Sequence, residues 1–230
     1  MRKDLGMSEL RLVIFDCDGV LVDSEVISNE VLARALTAEG LPTTLAESRR
    51  DYQGLLLGDI ASRAQARLGR PLPDDWQERF ERDRTEAFRR DLRPIAHVAE
   101  VVELVSAAGI AVCVASQGKP EKIELSLELT GVRSLFLEDA LFSAYAVPRG
   151  KPHPDLFLHA AAAMGASPSA CVIVEDTPSG VVGAVAAGMR VLGYAADSDE
   201  AALRAAGAEV FWSMTDVPAL LGLGTARSRR

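Results

Sequence analysis

Cysteine is scarce in this chain: three in 230 residues, with no Cys-x-x-Cys pair. That argues against a disulfide framework and a cysteine-built zinc site. Cys17, Cys113 and Cys171 each lie in or beside an apolar, strand-like run, which reads as buried, reduced thiols in a cytoplasmic protein. Histidine is also sparse, and His97, His153 and His159 show no metal-ligand spacing. Long apolar runs are missing. None reaches the ~18 residues a membrane helix needs, so no membrane partner is expected. No apolar segment follows Met1-Arg2-Lys3-Asp4, so this stretch does not read as a signal peptide, and Met7 is an alternative start. Basic residues are outnumbered, 25 Lys and Arg against 33 Asp and Glu, for a net charge of −8. That balance argues against nucleic acid as a partner. The basic tail Arg227-Ser228-Arg229-Arg230 reads as a solvated end. An anionic small molecule is not excluded, because a local metal or Lys can reverse the field inside a cleft. There is no Walker-type loop and no Gly-x-Ser-x-Gly elbow, and Gly222-x-Gly224 lacks a strand-turn-helix context. Nothing in the composition sets the oligomeric state.

What is present is a full apolar complement, 48% of residues, enough for one large domain or one domain with an insertion. Leu10 to Phe15 reads as a buried strand, and the next strong strand pattern is Gly109 to Ala115. A strand-helix-strand unit needs only about 30 residues, so something is inserted between them. The insert, 23–91, carries four helical patterns and no strand pattern. The first is capped by Asp23 or Ser24 and ends at Gly40; the second covers Leu45–Asp51. The third covers Asp59–Leu68 and the fourth starts after Asp74 or Asp75. Arg79, Arg82, Arg84, Arg89, Arg90 and Arg93 alternate with Glu78, Glu81, Asp83, Glu86 and Asp91, the pattern of a salt-bridged solvent face.

After Pro94 helices and strands alternate: helix 98–108, strand 110–115, helix 120–129, a short apolar stretch at 140–142, helix 154–164 and strand 171–174. Helix 178–187, strand 189–192, a further helix, strand 209–211 and helix 217–221 follow. Nearly all-apolar strands alternating with helices predict a parallel sheet covered on both faces. The expected fold is therefore α/β: a doubly wound, Rossmann-like core of residues 1–22 and 92–230, with an all-helical unit at 23–91.

The first strand ends in Asp16-Cys17-Asp18. Alternate residues of an extended chain share a side, so the two acids face one way and Cys17 the other. Two anions that close repel unless a cation lies between them. Further polar residues fall at the carboxyl ends of later strands: Ser116-Gln117, Lys151 and Glu175-Asp176. In open α/β sheets the ligand crevice lies there. Acids gathered in one crevice suit a hard cation such as Mg2+, which takes a few carboxylates and commonly works with phosphates. Pro152 biases Lys151 away from helix and onto a loop. Ser116 fits either a helix cap or a phosphate contact at a helix N-terminus.

These stretches resemble the motifs of the haloacid dehalogenase superfamily. Asp16-Cys17-Asp18-Gly19-Val20 is similar to its first, Val114-Ala115-Ser116-Gln117 to its second, Gly150-Lys151-Pro152 to its third, and Val174-Glu175-Asp176-Thr177 to its fourth. The helical insert resembles the small-cap branch, and 16–25 with 151–157 resemble the β-phosphoglucomutase and sugar-phosphate phosphatase group. The resemblance implies a Mg2+-dependent phosphatase of small phosphorylated metabolites. Asp16 is implied as the nucleophile, Asp18 as acid and base and carbonyl ligand, and Ser116 and Lys151 as catalytic partners. The implied metal set is Asp16, Asp18, Glu175 and Asp176. Phosphate contacts are implied near Gly19 and Gln117. Glu25, Gly54, Leu56 and Arg49 are candidates to line the cap. The mutases of the group carry a hinge His at the position of Ser28 and a cap Arg near that of Leu57, so hydrolysis is favoured over mutase activity. The dehalogenases lack the acid at Asp18. A β-phosphoglucomutase-type mutase and a non-catalytic phosphometabolite-binding module are the alternatives.

Overall fold

A computed structural model describes residues 10–224. The charged N-terminus with Met7, and the basic tail, lie outside the described residues. Six parallel strands form one sheet: β1 (Leu12–Phe15), β2 (Ala111–Ser116), β3 (Leu141–Ser143), β4 (Cys171–Glu175), β5 (Arg190–Tyr194) and β6 (Glu209–Phe211). Their order is β3-β2-β1-β4-β5-β6. β1 is central and hydrogen-bonded to both β2 and β4. The chain changes winding direction there, which opens a crevice beyond the carboxyl ends of these three strands. Leu12, Val13, Ile14 and Phe15 are all 0% exposed. Burying each is worth about 2 kcal/mol, so β1 is a rigid post for the acids that follow it.

The insert folds as α1 (Glu25–Ala38), α2 (Leu45–Tyr52), α3 (Leu57–Leu68) and α4 (Trp76–Asp91). The core helices are α5 (Val98–Ala107), α6 (Pro120–Leu129), α7 (Asp155–Ala163), α8 (Pro178–Ala186), α9 (Glu200–Ala206) and α10 (Val217–Leu220). Two apolar clusters result. The larger surrounds the sheet. The smaller holds Val31, Leu36, Tyr52, Ile60, Trp76 and Phe80 of the insert. Trp76 and Phe80 stack at 5.8 Å between centroids. α4 belongs to both, because Phe88 near its C-terminal end packs into the sheet cluster.

The chain leaves and re-enters the sheet layer at adjacent points. Val22 bridges Pro94 in antiparallel fashion. The Asp23 amide donates to the Arg93 carbonyl at 2.9 Å, and the Ile95 amide to the Leu21 carbonyl at 3.0 Å. Several element boundaries shift by one or two residues from the sequence pattern. β1 starts at Leu12 rather than Leu10, β2 runs through Ser116 rather than stopping at Ala115, and α3 starts at Leu57 rather than Asp59. Ser24 occupies the N-cap position of α1, but its side chain makes no capping bond.

Candidate active site

Asp16 follows directly on β1, and its amide donates to the Val174 carbonyl of β4 at 2.9 Å. That bond aims its carboxylate across the central crevice. Lys151 reaches in from the loop before α7, where the Lys151–Pro152 peptide is cis. Its Nζ lies 2.7 Å from Asp16 Oδ1 and 2.6 Å from Glu175 Oε1. All three side chains are buried. Burial favours the neutral amine, but the Asp16 and Glu175 carboxylates outweigh it and hold the ammonium protonated. The Asp16 pKa is pushed up to about 7 by burial, against the pull of Lys151 and with further push from Glu175 and Asp18.

Glu175 ends β4. Its other oxygen, Oε2, accepts from the Thr177 amide at 2.7 Å and the Thr177 hydroxyl at 2.9 Å. Thr177 also caps α8 by accepting from the Gly180 amide. Both Glu175 oxygens are thus engaged, whereas Asp176 Oδ1 is buried without a partner. Burial, and the charges of Glu175 and Glu25, push the Asp176 pKa well above the usual carboxylate range.

Oxygens of Asp16, Glu175 and Asp176 lie within 4.8 Å of one another. The donor set is all hard oxygen, and a hard divalent cation would satisfy the orphaned Asp176 oxygen. The site therefore fits a metal of that class. Gly19 makes room for Asp176. Its φ is +74°, and a Cβ there would collide with the Asp176 carboxylate. The Gly19 amide donates to the Val22 carbonyl at 2.9 Å. That bond closes the turn after Asp18. Among the described residues the Asp18 and Gln117 amides donate no hydrogen bond.

Asp18 shares the cleft with Asp16, and Cys17 is sealed in the sheet core. Asp18 Oδ1 accepts from the Ser24 hydroxyl and from Lys122 Nζ of α6. Burial pushes the Asp18 pKa up, but Lys122 and the Ser24 hydroxyl hold it below the usual range. Ser24 therefore serves Asp18, not the helix. Neither it nor Lys122 stands out in the sequence, since Lys122 looks like any solvent-facing lysine on an amphipathic helix.

Ser116 ends β2, and its Oγ accepts from the Gly118 amide at 3.1 Å. Gln117 is a cross-brace. Its Oε1 accepts from the Lys151 amide at 3.1 Å, and its Nε2 donates to the Gly54 carbonyl of the cap at 3.4 Å. Two further contacts join cap and core: Lys119 Nζ to Glu81 Oε1 at 2.7 Å, and Arg49 Nη2 to the Asp197 carbonyl at 3.0 Å.

One cleft between cap and core is lined by Asp16, Asp18, Glu25, Gly54, Ser116, Gln117, Lys151 and Glu175. Gly19, Asp176 and Arg49 line a smaller adjoining cavity, and Glu25 borders both. Leu56 lines neither. The Glu25 pKa is pushed up to about 7 by burial and by the charge of Asp18.

The arginine-rich face of α4 is less uniform than its sequence. Arg79, Arg82 and Arg90 pair with acids as a solvent face would. Arg84 does not. It is half-buried and turned into the cleft.

Residues 10–188 match the sequence model of a hydrolase family described as haloacid dehalogenase-like hydrolase. The chain is 31% identical over 192 residues to the 6-phosphogluconate phosphatase of Escherichia coli K12, covering 83% of this chain and 85% of that protein. It is 32% identical over 185 residues to hexitol phosphatase B of the same organism, covering 79% and 82%. A solved structure from Agrobacterium tumefaciens, a haloacid dehalogenase-like protein of unknown function, superposes with a TM-score of 0.77 at 34% identity. It covers 93% of this chain and 98% of that one.

Proposed function

This chain belongs to the haloacid dehalogenase-like hydrolases, and from that premise we propose that it is a Mg2+-dependent phosphatase of a sugar phosphate or similar small phosphorylated metabolite. The observation that carries the reading is the pairing of Lys151 with Asp16 and Glu175 at the carboxyl end of the central strand. A buried carboxylate beside a fixed ammonium is a nucleophile with its counter-charge in place.

Asp16 attacks phosphorus, and the bond from phosphorus to the sugar oxygen breaks to leave an aspartyl-phosphate. Asp18 gives its proton to the departing oxygen. Lys122 and Ser24 hold Asp18 as a carboxylate before substrate arrives, and the approach of a phosphate dianion favours its protonation. In the second half Asp18 takes a proton from water, which attacks the aspartyl-phosphate and regenerates Asp16. The Ser116 hydroxyl and the Asp18 and Gln117 amides donate to the phosphoryl oxygens. Asp16, the Asp18 carbonyl and Asp176 would hold Mg2+, with Glu175 orienting Lys151 and Thr177 beside them. The metal, when bound, supplies charge stabilisation to the transferring group.

The helical unit 23–91 acts as the cap that closes over the ester and excludes water. At the positions where the mutases of the group carry a His and an Arg, this chain has Ser28 and Leu57, both in the cleft. That supports release of phosphate to water over its return to a sugar. No helix of the described residues is long and apolar enough to cross a membrane. The three cysteines are free and buried, which suits a reducing, cytoplasmic setting.

The reading is tested by a phosphate-release screen with Mg2+ over sugar phosphates, 6-phosphogluconate, hexitol phosphates, phosphoglycolate and nucleotides. Turnover of one class with saturation is expected. Failure of every ester with Mg2+ present overturns it in favour of a binding module.

A further inference from the structure

Four cations line the cleft, and three of them are matched. Lys151 is held by Asp16 and Glu175, Lys122 by Asp18, and Lys119 by Glu81. The fourth, Arg84, has no carboxylate within 4.0 Å among the described residues, although other arginines of its helix do. Nor is it free to swing away. Its guanidinium carbon lies 5.1 Å from the Phe80 ring centroid and 6.0 Å from that of Phe88. Lys122 Nζ approaches the same Phe88 ring at 5.6 Å. Two aromatic rings thus steady the guanidinium, carried on α4, in the cleft that also holds Asp18.

A guanidinium that is fixed, half-desolvated and unpaired is built to receive an anion. Its planar fork matches the two oxygens of a carboxylate or phosphate. The phosphoryl group being transferred already has Lys151, from the loop before α7, and Ser116, at the end of β2. Arg84 comes from the cap and serves another part of the molecule.

We propose that Arg84 reads a second anionic group on the substrate, a carboxylate or another phosphate, at the end remote from the ester that is cleaved. The proposal rests on the phosphatase reading above and narrows its substrate to doubly anionic esters.

The test compares three esters of one carbon skeleton: a phosphorylated aldonic acid, the corresponding alditol phosphate with a neutral end, and the sugar bisphosphate. They are assayed on the full chain and on Arg84→Met and Arg84→Lys. For at least one anion-ended ester the wild type is expected to show a KM about tenfold below that for the alditol phosphate, equivalent to about 1.4 kcal/mol. Arg84→Met raises that KM about tenfold and leaves the alditol phosphate within about twofold; Arg84→Lys recovers part of the loss. The ester that responds identifies the second anion. Equal effects on charged and neutral ends, or no effect, overturn the assignment. Should Arg84→Met not fold, Arg84→Lys is judged by the same selectivity. Absence of turnover with all three esters in the wild type sends the question to the wider screen described above, whose uniform failure sinks the phosphatase reading instead. The subsite is then judged by calorimetric titration of the aldonic acid phosphate and the alditol phosphate, and equal affinities overturn it.

Discussion

The Asp176 carboxylate occupies the space where a side chain at residue 19 would begin, so Gly19 and Asp176 can be neighbours only because one of them has no Cβ. The backbone at Gly19 is left-handed as well. Gly19→Ala therefore meets both a collision and an unfavourable φ. Destabilisation of more than about 1 kcal/mol is expected in urea denaturation. Displacement of Asp176 should weaken Mg2+ binding about tenfold or more by calorimetric titration. An unchanged denaturation midpoint would show that the turn can relax.

Lys151 neutralises two buried acids, so its removal leaves them facing each other unpaired. Lys151→Met should destabilise the chain by about 3 kcal/mol and abolish phosphate release. Adding Glu175→Gln to that variant removes one of the stranded charges. Stability should return in part while turnover stays lost. A double variant no more stable than the single one would mean that the ion pair is not what holds this part of the fold.

Asp16→Asn keeps the shape of the side chain and removes the carboxylate proposed to attack phosphorus. Phosphate release should fall to the level of the uncatalysed control, with a circular dichroism spectrum and thermal midpoint close to those of the parent. Near-normal turnover by this variant would remove Asp16 from the nucleophilic role.

Burial pushes Asp16 and Glu25 up to about 7, from 3.8 and 4.5, and raises Asp176 as well. Across that interval the folded chain holds protons that the unfolded chain has lost. Raised folded-state values stabilise below the unfolded pKa, and that stabilisation is lost as pH climbs through the folded value. Metal-free protein should thus lose thermal stability between about pH 5 and about pH 8. Excess Mg2+ should flatten or reverse the decline, and its binding near neutral pH should release protons. Scanning fluorimetry across pH, with EDTA and with Mg2+, measures both slopes. Parallel slopes would remove the carboxylates as the metal site.

The sheet was legible because double-sided burial leaves a simple mark: β1, β2 and β4 are almost wholly apolar and stop at polar residues. The site was legible where a residue closes a strand, as Asp16, Ser116 and Glu175 do. It was opaque where a partner comes from elsewhere in the chain. Ser24 sits before a helix and carries the pattern of a cap, yet its hydroxyl turns back to Asp18. Lys122 lies on α6 among charged neighbours, and only the approach of α6 to the β1 loop pairs it with Asp18. Arg84 is hidden differently. Its helix has the alternating charges of a solvent face, and that pattern holds for Arg79, Arg82 and Arg90. Packing of Phe80 and Phe88 on separate apolar clusters turns the residue between them inward. Gly19 lies beside Asp176, and its amide bonds Val22, a contact the motif alone does not show.

The hydrogen bond from Asp23 to Arg93 has a further consequence. It brings the two severable ends of residues 23–91 within one rung of each other. The helical unit thus leaves and returns at one place beside the central strand, and the rungs from β1 to β4 run on without it. Arg84 lies within the inserted stretch, and Asp16 and Lys151 lie outside it, so the cleft is lined by two parts of the chain whose backbones are joined at this crossing point.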